Sequence, residues 1–185
     1  VDKKTQATMF SSKNDEWSTP QELYDVLDSI FRFTLDPCST NTNKKCRKWY
    51  TKEDDGLIQD WSDEVVFCNP PYSRKTKSNP GQQTWIEKCH GEYIFHDTTS
   101  VLLIPARTDT EVMHEHIFAD AKYLCFVKER IKFGNNISSA PFPSMIAVFT
   151  SNNYDEAIYN FGEGLGYWIK LSHNRRLGEA GGLIC

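Results

Sequence analysis

Four apolar residues in a row, Val65-Val66-Phe67-Cys68, lead directly into Asn69-Pro70-Pro71-Tyr72. A short apolar run with two β-branched members predicts a buried strand, and two prolines that cannot donate to a ladder end it. Asn69 is therefore expected at a strand tip. The prolines fix φ and remove two N–H groups, which leaves the carbonyls of Asn69 and Pro70 rigid and free to accept hydrogen bonds from outside the chain. Asn69 adds a side-chain carbonyl, and Tyr72 adds a flat face with a polar rim. Together these residues suit a planar group that carries an –NH2. Two acceptors on its hydrogens draw the nitrogen toward a tetrahedral, nucleophilic form, and that step needs no ionisable base. Taken alone, the four residues also fit a plain loop after a strand, because Asn and Pro dominate turns.

The elements that would hold such a socket follow from the rest of the pattern. Thr19 is expected to cap a helix with Pro20 as its first residue and Glu22 as the reciprocal partner of a capping box. Leu23, Val26, Leu27, Ile30 and Phe31 continue it at helical spacing. Phe33-Thr34-Leu35-Asp36 reads as the first strand, closed by Pro37-Cys38-Ser39-Thr40, a turn without glycine. Helices are expected at Gln82 to Tyr93, Glu111 to Phe118 and Asp155 to Phe161. Further strands are expected at Ser100 to Ile104, Lys122 to Val127, Ser144 to Thr150 and Tyr167 to Leu171. Strands alternating with helices and a hairpin near the end predict an α/β fold: a mostly parallel sheet with one reversed strand and helices on both faces. Residues 1–15 read as a flexible arm, 16–150 as the catalytic domain, and 151–185 as a C-terminal extension packed on that domain.

The chain has 185 residues, enough for one domain with a proper core. No transmembrane run or signal peptide stands out, which predicts a cytoplasmic protein. The six cysteines lack Cys-x-x-Cys pairs and read as reduced packing thiols, and His114 and His116 are wrongly spaced to share a helical face, so no metal is expected. A net charge of −4 works against nucleic-acid binding. Two local basic clusters offset it. Lys44, Lys45, Arg47 and Lys48 read as a solvated face. Arg74, Lys75 and Lys77 follow the Asn-Pro-Pro-Tyr tip in a loop rich in breakers, where they can grip phosphates.

Several short segments occur here in a specific order: Trp17-Ser18-Thr19-Pro20-Gln21-Glu22-Leu23, Leu35-Asp36-Pro37-Cys38, Glu53-Asp54-Asp55-Gly56-Leu57, Asn69-Pro70-Pro71-Tyr72, Pro105-Ala106-Arg107-Thr108-Asp109-Thr110, Arg130-Ile131-Lys132-Phe133-Gly134 and Ala140-Pro141-Phe142-Pro143-Ser144. In that order they resemble the phage-encoded DNA N6-adenine methyltransferases, over roughly Asp15 to Thr150. The resemblance implies a Rossmann-like fold that uses S-adenosylmethionine and acts on duplex DNA, as a monomer or weak dimer in the cytoplasm of a bacterial host. It implies that Asn69 and the Pro70 carbonyl hold the target amine while Tyr72 stacks on a flipped adenine. Thr19, Pro20, Asp36, Pro37, Cys38 and Asn69 would bind the cofactor, with Asp36 facing its ammonium group. Asp54 and Asp55 are the favoured acidic contacts, and Glu53 stays open beside them. Arg74, Lys75, Lys77, Arg107, Arg130 and Lys132 would contact DNA. The same quartet also serves enzymes that methylate a guanine amine in RNA or a glutamine amide in protein. A catalytically inactive DNA-binding or DNA-mimicking module is a further alternative, which the acidic total and the glycine-free turn suit.

Overall fold

The computed structural model describes residues 17–134 and 138–172. The arm at residues 1–15 and the glycine-rich end of the extension lie outside them. Seven strands form one sheet in the order β2-β1-β3-β4-β6-β5-β7. They are β1 (Leu35–Asp36), β2 (Lys48–Trp49), β3 (Val65–Cys68), β4 (Thr99–Pro105), β5 (Tyr123–Val127), β6 (Ser144–Phe149) and β7 (Gly166–Lys170). β1 pairs in parallel with β2 and β3, and β3 in parallel with β4. β6 is antiparallel to both β4 and β5, and β7 is antiparallel to β5. Two strands, β6 and β7, thus run against the other five, where the sequence predicts one. Apolar alternation carries no information on strand direction, and β7 takes the free edge of β5.

The strand sequences are nearly continuous in apolar residues because both faces of the sheet are covered. Across one row, Phe67, Val101, Val148 and Tyr123 stand in register. These four belong to the core on the face packed by helix α1 (Gln21–Phe31), with Leu23, Leu27 and Phe31. In the next row Cys68, Leu102, Ala147 and Leu124 point the other way. They pack under α2 (Gly81–His96) and a helical segment at 111–120, through Trp85, Ile86, Cys89, Met113 and Ile117. Burying each large side chain of these layers contributes roughly 1.5–3 kcal/mol. Helices on both faces are therefore present.

Strand β3 has the bounds read from its residues, whereas the first strand is shorter than expected, Leu35–Asp36. The described part of the extension forms a helical segment at 155–165 and β7, and Ile158 joins the core beside α1. The capping box at the start of α1 does not form. Pro20 is the cap, in an extended conformation with ψ 141, and the first turn has no side-chain cap. The Thr19 hydroxyl is engaged elsewhere, as described below. Among the described residues, no helix is long and apolar enough to cross a membrane.

Candidate active site

The parallel strands β1, β3 and β4 end on one edge of the sheet, and the chain leaves them at Asp36, Cys68 and Pro105. A cleft of about 630 Å³ opens there, the usual position for a ligand in a sheet of this kind. It is lined by Thr19, Asp36, Pro37, Cys38, Asp55, Asn69 and Pro70 among the residues singled out from sequence. Pro20, Asp54, Glu53 and Tyr72 do not line it. The Asp54 carboxylate is held in its own turn by the amide and hydroxyl of Thr51, each at 2.8 Å. Asp55 is the acid at the wall, in a left-handed conformation at φ 50 with its carboxylate accepting from the Leu57 amide.

Every donor of the Asn69 amide has a defined partner. Nδ2 donates to the Trp17 carbonyl at 2.6 Å and to the Thr19 hydroxyl oxygen at 2.8 Å. Oδ1 accepts from the Tyr72 hydroxyl at 2.8 Å. With both amide hydrogens committed, the oxygen cannot exchange places with the nitrogen, and Oδ1 keeps one lone pair for a further donor. This explains why Thr19 fails to cap α1: its oxygen accepts from Asn69.

Tyr72 is where sequence and structure differ most. The ring is buried at 6 % exposure instead of lying open as a platform. Trp17 stacks toward it with centroids 6.4 Å apart, and Phe133 and Phe142 meet it edge-on at 6.0 and 5.5 Å. Trp17 is the half-buried member of this cluster and also lines the cleft. Burial pushes the Tyr72 phenol well above its ordinary pKa, which keeps it a hydrogen-bond donor.

Asp36 is 4 % exposed and accepts from the Lys45 amide at 3.0 Å. Burial raises its pKa to about 6, against the lowering effect of the Lys45 and Cys38 amides. A buried carboxylate with no cation on it is costly unless a ligand supplies one. Gly56 and Lys45 also stand at this wall, outside the residues assigned to it from sequence. Gly56 lets its turn pack against the Pro37 loop, because a Cβ there would stand 2.0 Å from the Pro37 oxygen. The Trp61 indole fixes that turn by donating to the Gly56 carbonyl at 2.9 Å. Lys45, assigned from sequence to a solvated face, lines the cleft instead, while Lys44, Arg47 and Lys48 are exposed.

Arg74, Lys75, Lys77, Arg130 and Lys132 are exposed, and Arg107 is half-buried. Lys75 pairs with Glu87 at 3.3 Å. Desolvation lowers the Arg107 pKa, and nearby Arg74 lowers it further against the opposing effect of Asp109. The loop that carries Arg74 closes on itself through Thr76 to Asn79 and Gln82 to Ser73. Gly81, at φ +63, permits this closure, since a Cβ would stand 2.3 Å from the Lys75 amide nitrogen. Among the described residues, no group of His, Cys, Asp and Glu is arranged to hold a metal ion.

A relative from Haemophilus phage HP1, a DNA N-6-adenine-methyltransferase, is 27% identical over 135 residues, covering 71% of this chain and 73% of its own. A DNA N-6-adenine-methyltransferase of Escherichia phage T1 is 32% identical over 98 residues, which span 52% of this chain and 38% of that protein. The model of the family described as DNA N-6-adenine-methyltransferase (Dam) matches residues 6–156, most of the chain and every residue of the cleft, and the chain belongs to that family.

Proposed function

We propose that the protein transfers a methyl group from S-adenosylmethionine to the exocyclic amine of an adenine flipped out of duplex DNA. The observation that carries this reading is the locked amide of Asn69, a residue that shares one cleft with the buried carboxylate of Asp36. A nucleoside joined to a charged amino acid fits the wall residues: Trp85, Leu57 and Phe67 offer apolar contact, Asp55 suits ribose hydroxyls, and Asp36 suits an ammonium. When bound, that molecule supplies an electrophilic methyl group on a sulfonium.

The chain's own part is positional. Oδ1 of Asn69 and the Pro70 carbonyl accept the two hydrogens of the adenine amine, which localises the nitrogen lone pair toward the methyl. The adenine ring takes the place that Trp17 fills against Tyr72, and the Tyr72 hydroxyl keeps Oδ1 aimed. No side chain in this arrangement acts as a base, and the proton leaves to water after transfer. Arg74 and Arg107, with Lys75, Lys77, Arg130 and Lys132, hold phosphates around the extruded nucleotide. The sheet and its cleft correspond to a Rossmann-like methyltransferase, with residues 16–150 as the catalytic domain and 151–185 as its extension. The enzyme works as a monomer or weak dimer in the cytoplasm of a bacterial host.

The test is incubation with methyl-labelled S-adenosylmethionine and separate pools of duplex DNA, RNA and protein. Label in DNA adenine supports the assignment. Label in RNA or protein moves the activity to another planar amine, and no label in any pool leaves a binding module.

A further inference from the structure

Two opposite charges of the cleft wall, Asp36 and Lys45, act on each other through space without forming an ion pair among the described residues. Asp36 is buried, and among the described residues its hydrogen bonds come from the main-chain amides of Lys45 and Cys38. The Lys45 side chain turns away from it, and its Nζ donates to the Gln21 side-chain oxygen at 2.8 Å in the first turn of α1. Gln21 is neutral and, through its own amide, holds Asp25 at 2.7 Å. Asp25 and Asp36 act on Lys45 through space, and among the described residues no carboxylate forms an ion pair with it. Desolvation lowers the Lys45 pKa, and the ammonium lies partly out of water, 6.0 Å from the centre of the Tyr24 ring. Ser18, Thr40 and Asn43 also line the cleft, and the Asn43 amide donates to the Ser18 hydroxyl oxygen at 3.3 Å.

We infer that Lys45 binds the α-carboxylate of the methyl donor while Asp36 takes its ammonium, so that this wall of the cleft is a receptor for an amino-acid zwitterion. The inference rests on the proposed use of S-adenosylmethionine and adds the residue that reads its carboxylate. A single fixed charge would favour any cation or any anion. A carboxylate and an ammonium on one wall, the ammonium held by the neutral Gln21 and not by the carboxylate, favour a ligand that carries both signs on one carbon. Three neighbouring cations are exposed and one is not, which separates Lys45 from the basic run around it.

Isothermal titration of the intact protein with S-adenosylmethionine and with its decarboxylated analogue, at pH 7.5, separates this role from a general loss of fold. Lys45→Met keeps the length of the stem and removes the charge, and Lys45→Gln is the second variant should the first melt early. The variant is expected to bind S-adenosylmethionine about 10-fold more weakly and the decarboxylated analogue within about 2-fold of the unaltered protein, as for loss of one charge-assisted contact. Equal weakening of both ligands, or of neither, overturns the assignment of Lys45. Failure of the unaltered protein to bind either ligand overturns the proposed cofactor itself, and the Lys45 role with it.

Discussion

The side-chain nitrogen of Asn69 lies 2.8 Å from the hydroxyl oxygen of Thr19, a residue 50 positions earlier in the chain. With the Trp17 carbonyl at 2.6 Å, this contact decides which atom of the amide is left to meet a substrate. An Asn69→Asp variant would set a carboxylate oxygen against the Trp17 carbonyl, acceptor facing acceptor. It is expected to lose at least about 100-fold in kcat/KM at pH 8 and to recover partly as pH falls and the introduced carboxyl is protonated, as the loss of two hydrogen bonds implies. Saturating S-adenosylmethionine keeps the titration of Asp36 out of the profile. Activity equal to that of the unaltered enzyme at pH 8 contradicts the lock.

Thr19→Val removes one of the two anchors and leaves the main-chain one. A fall in kcat of about 10-fold, restored by Thr19→Ser, is the expected result for one lost hydrogen bond in a positioning network. A purely structural role predicts instead a lower melting temperature with kcat unchanged.

Asp36 couples function to stability with a definite sign. Its folded pKa of about 6 lies above the model-peptide value of 3.8, so the folded state binds the extra proton between those limits. Stability is therefore lost as pH rises from about 4 through 6, by roughly 3 kcal/mol in all. Asp36→Asn should raise the denaturant midpoint at pH 7.5, with a gain that shrinks toward pH 4, while abolishing measurable binding of S-adenosylmethionine. In the unaltered protein, affinity for that ligand should fall as pH drops through 6. A Kd that stays flat from pH 8 to 5 contradicts the role given to Asp36.

Gly56 is required by space and not by backbone freedom. A methyl group there would overlap the Pro37 carbonyl and press on Trp85. Gly56→Ala is expected to cost about 1–3 kcal/mol, as overpacking does, read as a lower midpoint in urea. An unchanged midpoint would mean that the two loops of the cleft are not in contact.

Arg74 is exposed and stands near Arg107. If it neutralises a phosphate, Arg74→Ala should lower the slope of log K against log salt for duplex DNA by about 1. An unchanged slope would remove Arg74 from the DNA interface.

Much of this was legible in local pattern. Val65–Cys68 was readable because a short apolar run ended by two prolines has few other uses, Asn69 was readable as its tip for the same reason, and Asp36 as the end of the first strand. What was not legible depends on contacts between distant segments. Thr19 carries every mark of a cap, yet its oxygen serves a residue 50 positions away. Lys45 looks like its basic neighbours until the turn after β1 is folded. Tyr72 presents as an open ring until Trp17, Phe133 and Phe142 close around it. Strand direction is equally silent in apolar alternation, which is why β7 was not foreseen as a second reversed strand.

The central claim is that the Asn69 acceptor activates an adenine amine. Mass spectrometry of nucleosides from duplex DNA treated with the unaltered protein and with Asn69→Ala, each saturated with S-adenosylmethionine, tests it most directly. N6-methyl-2′-deoxyadenosine is expected from the first, with a loss of about 100-fold or more in its rate of formation with the second, at similar cofactor affinity. Equal rates of N6-methylation by the two proteins would contradict it.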